Sequence, residues 1–202
     1  TNLEPMNESR PTPTTELAGA RVAFLATDGF ELSELRSPKE ALTHVGARVD
    51  IVALRSGSIK GWQDGDWHGT QQVDVLVEEA RMEDYDALVI PGGVISPDKL
   101  RMDPHAVAFV RAFANAGKPI CAICHGPWLL AEADVVRGRQ LTSYGSIRTD
   151  LVNAGANWTD AEVVVDQGLV TSRSPKDLPA FNLRVLEVVA KDLESFGEFA
   201  RE

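Results

Sequence analysis

Short continuous apolar runs alternate with segments of helical apolar spacing from Arg21 onward, and this alternation most constrains the fold. A strand that is apolar at consecutive positions must be covered on both faces, as in parallel strands joined by crossover helices. We therefore predict an α/β protein with a doubly wound, mostly parallel sheet and helices on both faces. The predicted strands are residues 21–26, 49–54, 87–93, 119–124, 141–144, 162–166 and 169–172.

Glycine and proline positions set the limits of other predicted elements. Asp103-Pro104 should begin a helix that stops at Gly117, and residues 175–193 should form the terminal helix. Residues 57–69 contain four glycines and two tryptophans, which predicts an irregular hairpin.

The chain divides into three predicted parts. Residues 1–19 are rich in Pro, Thr and Asn and are expected to form a flexible arm. Residues 20–193 contain no internal repeat or linker and are assigned to a single domain, followed by a tail at 194–202. A chain of 202 residues suits one such hydrophobic core.

Charge and cysteine content exclude several functional classes. The formal net charge of -10 opposes binding to a phosphate backbone, so no nucleic acid partner is expected. No apolar run approaches the roughly 20 residues that cross a bilayer, and the first residues lack the basic start and apolar stretch of a signal peptide. Two cysteines cannot build a disulfide framework. These features favour a cytoplasmic protein without a membrane partner.

Unusual residues follow three of the predicted strands: residues 27–31 after the first, 91–93 after the third and 123–127 after the fourth. Ligands on open parallel sheets bind beyond the carboxyl ends of the strands. The three segments therefore predict one cleft.

Cys124 is the leading candidate for chemistry in that cleft. The segment around it indicates a strand, a sharp turn and a helix, which is a nucleophile elbow with Cys in place of Ser. Unpaired amides at a helix start should lower the thiol pKa and favour the thiolate nucleophile. Gly92 and Gly93 could supply backbone amides to a developing oxyanion. Cys121, inside the predicted strand, fits a buried core cysteine.

The sequence around Cys124 also matches two other cysteine motifs. Residues 121–125 read C-x-x-C-H, which occurs in c-type haem attachment and contains the C-x-x-C redox motif. If Cys121 and Cys124 lie on an extended strand, their Cα atoms are roughly 10 Å apart, beyond the reach of a disulfide. The four histidines show no zinc-ligand spacing with the cysteines. We predict no metal and no cofactor, and a flavin is disfavoured because the first strand lacks a phosphate-binding run.

Glu31 follows the first strand and has two possible roles. A carboxyl group whose pKa is raised by burial could donate a hydrogen bond to the Cys124 thiolate. Taken as an isolated feature, Glu31 fits a cap of the helix that follows it better than a proton donor. We favour the proton donor.

Together these motifs resemble the PfpI-like peptidases of the ThiJ/PfpI superfamily, with similarity in order from about residue 21 to residue 190. The resemblance implies a flavodoxin-like fold in which Cys124 is the nucleophile, Glu31 its protonated partner and His125 a possible base. It further implies that Gly93 and the amide of His125 form the oxyanion hole.

The resemblance also implies a homo-oligomer, at least a dimer. In such oligomers a carboxylate of the neighbouring subunit orients the histidine beside the nucleophile, and Asp98 occupies the matching position. Asp98 also fits a helix cap after Pro97. The superfamily is similar to class I glutamine amidotransferases, but no histidine follows His125 in this chain, so a standard glutaminase triad is excluded.

Two classes of function remain open at this point. One is an enzyme in which thiolate attacks a carbonyl, either as an intracellular peptidase or as a glyoxalase or deglycase in stress protection. The other is a redox-sensing or chaperone-like stress protein in which Cys124 is oxidised reversibly. The substrate in the first case is a small carbonyl compound or a peptide.

Overall fold

The computed structural model describes residues 17–199, in which strands and helices alternate along the chain. The strands are β1 (Arg21–Leu25), β2 (Phe30–Glu31), β3 (Arg48–Ala53), β4 (Ser58–Gln63), β5 (Asp66–Gln72), β6 (Val75–Leu76), β7 (Ala87–Ile90), β8 (Ile120–Ile123), β9 (Gln140–Leu141), β10 (Asn157–Trp158), β11 (Val163–Asp166) and β12 (Leu169–Ser172). The α-helices are α1 (Leu32–His44), α2 (Ile95–Leu100), α3 (Pro104–Asn115), α4 (Trp128–Glu132), α5 (Arg148–Asn153) and α6 (Leu178–Phe199).

Seven strands form the main sheet, in the order β11-β12-β8-β7-β1-β3-β6. All neighbouring pairs are parallel except β11 and β12, which form an antiparallel hairpin at one edge. The predicted α/β class with a mostly parallel sheet is confirmed. The predicted hairpin excursion is the antiparallel pair β4 and β5, joined to the short strand β2 in a separate three-stranded sheet.

Helices cover both faces of the main sheet. On one face, α1 and α6 contribute Leu35, Leu42 and Phe181 to a core that is closed from water. On the other face, α3 and α4 contribute Val110, Phe113 and Leu129. Burial on both sides explains why the strands are apolar at consecutive positions. No helix within residues 17–199 has the length and apolar character that crossing a bilayer requires.

Three details differ from the sequence-based expectation. The segment predicted as a strand at 141–144 contributes only β9, which pairs with β10 outside the main sheet. Helix α6 continues past residue 193 to Phe199. Leu17 is buried, and its amide donates to Val45 O at 2.7 Å, so the packed domain begins before residue 20. Residues 1–16 and 200–202, which hold most of the predicted arm and the end of the predicted tail, lie outside the described residues.

The strand order brings the ends of β8, β7 and β1 side by side, with β7 in the middle. The parallel register aligns Val89 of β7 with Cys121 of β8 and with Phe24 of β1. The carboxyl ends of the three strands therefore open on the same edge of the sheet, and the loops that follow them meet there.

Phe181→Ala should lower the free energy of unfolding by about 3–5 kcal/mol, because Phe181 is fully buried and its loss leaves a cavity between α6 and the sheet. Urea unfolding followed by circular dichroism measures the change. Leu183→Ala on the same helix is the control, since Leu183 is 45% exposed and should cost less than about 1 kcal/mol. Equal losses from the two variants would contradict the assigned face of α6.

Candidate active site

Cys124 lies directly after β8 in a strained turn. Its φ angle is 63°, in the left-handed region that residues with a side chain rarely adopt. The Cys124 amide donates to Ser172 O at 3.0 Å, and its carbonyl accepts from the Tyr144 amide at 2.9 Å. These bonds hold the residue in place, and the strained turn directs the thiol away from the strand, as in a nucleophile elbow.

Two glycines make room for this turn. A Cβ atom on Gly126 would lie 2.6 Å from Ile90 O, and one on Gly92 would lie 2.7 Å from the Cβ of Cys124. Both distances are too short for a side chain. The strand ends can approach each other only because these positions lack one.

Backbone amides surround the sulfur of Cys124. The amides of Gly93 and His125, the two residues expected to form the oxyanion hole, lower the pKa of the Cys124 thiol because they lie beside its sulfur. Both Gly93 and His125 also line the cleft beside Cys124. The amides therefore converge on the point where a bound oxyanion would develop next to the sulfur.

His125 is in position to exchange a proton with Cys124. Its Nδ1 lies 3.2 Å from Cys124 Sγ, and its Nε2 lies 3.1 Å from Ser146 Oγ. When Nε2 carries the proton and donates to Ser146, Nδ1 is free to accept the thiol proton. The ring of Tyr144 stacks on the imidazole at 4.8 Å, and Trp128 contacts it edge-on at 5.0 Å. The imidazole is thus held on several sides.

Glu34, which the sequence analysis missed, is the carboxyl group that lies beside Cys124, since a Cβ atom on Gly92 would lie 2.5 Å from Glu34 Oε1 and 2.7 Å from the Cβ of Cys124. Its side chain is fully buried, and Oε1 accepts the Gly92 amide at 2.9 Å. Glu34 comes from the first turn of α1, which passes over the end of β7. One signal was available in the sequence: Glu34 stands at helical spacing with Pro38 and Leu42, on the buried face of α1.

Neither Glu31 nor Asp98 forms a hydrogen bond with the sulfur of Cys124 within the described residues. Glu31 lines the cleft, is half-buried and accepts a long hydrogen bond of 3.4 Å from Ser33 Oγ. Strand β7 separates β1 from β8, so the neighbouring-strand placement that favoured Glu31 does not occur. Asp98 is exposed on α2 and is not part of the cleft lining of this chain. A role for Asp98 therefore stays a prediction that involves a second chain.

Burial controls protonation in the site. Burial first, and the charge of Glu31 second, raise the pKa of Glu34 to about 8, so that Glu34 is largely protonated at neutral pH. Burial also lowers the pKa of His125, which favours the neutral imidazole.

The pKa of the Cys124 thiol is raised by burial and by the charge of Glu34, whereas the amides of Gly93 and His125 lower it. The sequence analysis expected a lowered pKa from a helix start. The structure differs because Cys124 is 7% exposed and α4 is only five residues long. Protonation of Glu34 removes its repulsion of the thiolate and supplies a donor to the sulfur.

The cleft above Cys124 has a volume of about 500 Å³. Its wall combines the reactive groups with apolar and aromatic surface from β4, α2 and the loop after β9. The lining residues are Gly29, Glu31, Glu34, Trp62, Gly93, Val94, Ile95, Cys124, His125, Tyr144, Ser146 and Pro175. Within residues 17–199, no group of three His, Cys, Asp or Glu side chains is arranged to hold a metal ion. Cys121 and Cys124 are both free thiols, and Cys121 is fully buried in the core.

The protein has a flavodoxin-like sheet with a strained cysteine after a central strand, and a histidine and a buried glutamate lie beside that cysteine. These features define a class of α/β proteins whose nucleophile elbow carries a cysteine. The model of the DJ-1/PfpI family matches residues 20–188. The chain belongs to the DJ-1/PfpI family, which confirms the resemblance identified from the sequence motifs.

Two relatives show how far this similarity extends. The chain is 46% identical over 170 residues to "Protein/nucleic acid deglycase 2" of Escherichia coli (strain K12), covering 84% of this chain and 97% of the relative. It is 44% identical over 177 residues to "General stress protein 18" of Bacillus subtilis (strain 168), covering 86% and 99%.

Solved structures show the same fold. The DJ-1/ThiJ/PfpI-like part of a two-domain Anabaena variabilis protein, which also has a ferritin-like domain, matches with a TM-score of 0.79 and 38% identity. That match covers 83% of this chain and 47% of the Anabaena chain. Drosophila melanogaster DJ-1beta matches with a TM-score of 0.77 and 25% identity, covering 90% and 97%.

Glu34→Gln should change how stability depends on pH. Between pH 4.5 and about 8 the unfolded chain releases the Glu34 proton while the folded chain retains it, so wild-type stability falls as the pH rises. The stability of Glu34→Gln lacks this decrease with pH, because a glutamine side chain has no proton to release. We expect its free energy of unfolding, relative to wild type, to increase by about 3 kcal/mol from pH 5 to pH 8.

Urea unfolding at the two pH values measures this difference. Glu40→Gln on the exposed side of α1 removes the same charge without burial and should follow wild type. If Glu34→Gln also followed wild type, Glu34 would be ionised in the folded protein at pH 7.

Proposed function

We propose that this protein is a cysteine-dependent enzyme in which the Cys124 thiolate adds to the carbonyl carbon of a small substrate. The observation that carries this proposal is the geometry at the sulfur: Cys124 is strained, His125 Nδ1 lies 3.2 Å from its Sγ, and Gly93 and His125 line the cleft beside it. The names of the relatives support an enzyme, since one of them is a deglycase.

The first step follows from these contacts. As the sulfur forms a bond to the carbonyl carbon, the thiol proton moves to His125 Nδ1 and the carbonyl electron pair moves to oxygen. The amides of Gly93 and His125 stabilise the resulting oxyanion. Protonated Glu34 keeps a negative charge out of the space next to the sulfur. His125 then returns its proton to the oxyanion or to the leaving group.

The cleft favours a small carbonyl compound over a long peptide. Its volume is about 500 Å³, and Cys124 is 7% exposed, so only a small part of the residue is accessible to a substrate carbonyl. We therefore place glyoxalase or deglycase chemistry before peptidase activity. For methylglyoxal the net reaction is addition of water to give lactate, with one hydrogen moved from C1 to C2.

Cys124→Ala should reduce turnover of methylglyoxal by about 10³-fold or more, because it removes the nucleophile. Cys121→Ala should retain most of the activity, since Cys121 lies in the core and does not line the cleft. Lactate formation by purified protein measures turnover, with a fluorogenic peptide as the competing substrate.

Equal loss in both variants would contradict the assignment of Cys124. Reversible oxidation of Cys124 without turnover of any carbonyl substrate would favour the redox-sensing alternative instead.

We further propose a cytoplasmic homo-oligomer in which Asp98 contacts the site of a neighbouring subunit. Two features support an interface: Asp98 is exposed beside the cleft loop, and Trp67 of the β4–β5 hairpin is 48% exposed. Sedimentation equilibrium at micromolar concentration should give a dimer or a larger assembly. A fully active monomer would rule out both the interface and a role for Asp98 in a second chain.

A further inference from the structure

The carboxyl groups that line the cleft around Cys124 have no cationic counterpart among its described lining residues. Its described lining contains two glutamates, Glu31 and Glu34, and no lysine or arginine. An anionic substrate would therefore enter a space that offers it no counter-charge, and a cation would meet a carboxylate.

Glu31 and Trp62 form one side of the opening. They are directly paired in register across β2 and β4, and both are half-buried in the cleft wall. The Trp62 indole is held edge-on against Trp67 at 5.2 Å. A carboxylate beside an indole ring is a combination that binds cations by charge and by cation–π attraction.

Among the residues that the structure describes, no basic side chain forms an ion pair with the carboxylate of Glu31. Its one described hydrogen-bond donor is the Ser33 hydroxyl, at 3.4 Å. Burial most strongly, and also the charge of nearby Asp64, raise the pKa of Glu31, whereas the hydrogen bond from Ser33 lowers it. Two arginines lie near the hairpin: Arg55 is bound to Asp28 at 2.8 Å, and the guanidinium of Arg36 packs against Gly69 of β5.

The inner end of the cleft has a different character. Oε2 of Glu34 is buried without a hydrogen-bond partner among the described residues, although the side chain lies in the cleft wall. Together with the amides of Gly93 and His125, a protonated Glu34 offers donors to an uncharged carbonyl group. The buried Glu34 beside Cys124 thus suits a neutral reacting group, whereas the half-buried Glu31 is the carboxylate that a charged part of the substrate would meet.

We infer that Glu31 and Trp62 form a cation-selective subsite, so that the Cys124 cleft takes carbonyl substrates that carry a positive charge in preference to anionic ones. This inference rests on the proposed function. It favours a carbonyl adduct of an arginine side chain, which keeps its guanidinium charge, over an adduct of a nucleotide, which carries phosphate.

Two charged thiol reagents test the subsite without requiring turnover. Methanethiosulfonates that carry trimethylammonium or sulfonate both form a mixed disulfide with Cys124 and release methanesulfinate. Their rates at pH 7 and 0.15 M NaCl are each divided by the rate with a small free thiol. We expect the corrected rate of the cationic reagent to exceed that of the anionic reagent by roughly 10-fold or more. A ratio near one would overturn the inference.

Variants identify which residues cause the preference. Glu31→Gln should lower the ratio by roughly 5-fold, and Trp62→Leu by about 2- to 5-fold. Glu40→Gln, an equal change of charge outside the cleft, should leave it unchanged. If Glu40→Gln lowered the ratio as much as Glu31→Gln, the preference would come from the overall charge of -10 and the subsite would be rejected.

Turnover measurements distinguish a failure of this inference from a failure of the proposed function. The substrates are methylglyoxal adducts of N-acetylargininamide, N-acetylcysteinamide and N-acetylcysteine, which are cationic, neutral and anionic. We expect kcat/KM to fall in that order, with the cationic advantage lost in Glu31→Gln. Turnover that is indifferent to charge would reject the subsite and leave the function standing. Charge-selective labelling of Cys124 without turnover of any adduct would support the subsite and reject the function.

Discussion

The left-handed backbone of Cys124 is the constraint on which the rest of the site depends. Such a conformation costs about 1–2 kcal/mol for a residue with a side chain. It persists because backbone bonds to Ser172 and Tyr144 hold the turn from two sides. The strain moves Sγ off the strand and places it against the amides of Gly93 and His125. Without this turn the thiol would be one more apolar contact in the core, as Cys121 is.

Burial then decides the charge of every group around the sulfur. It raises the pKa values of Cys124 and Glu34 and lowers the pKa of His125, so all three side chains favour their neutral forms. The resting site therefore stores a proton on the thiol and another on Glu34. In our proposal the thiolate appears when substrate arrives and His125 accepts the proton, which limits the lifetime of a reactive anion in the cleft.

The two glutamates show why position in the fold matters more than position in the sequence. Glu31 and Glu34 are three residues apart, yet one lies in a strand at the cleft opening and the other in the first turn of α1. Helix α1 directs Glu34 across the end of β7 to the sulfur. Strand β2 pairs Glu31 with Trp62 in the hairpin, away from the hydrogen bonds of the sulfur.

The sequence by itself determined the α/β class and the family and predicted that Cys124 follows a strand in a sharp turn, because consecutive apolar residues, glycines at turns and the residues around Cys124 are local signals. Only the tertiary structure decided the order of the strands, with β7 between β1 and β8, and hence which carboxyl group reaches the thiol. It also decided that burial, rather than a helix start, dominates the pKa of Cys124. Both outcomes depend on atoms that are distant in the chain, and desolvation is a property of the assembled core rather than of any motif.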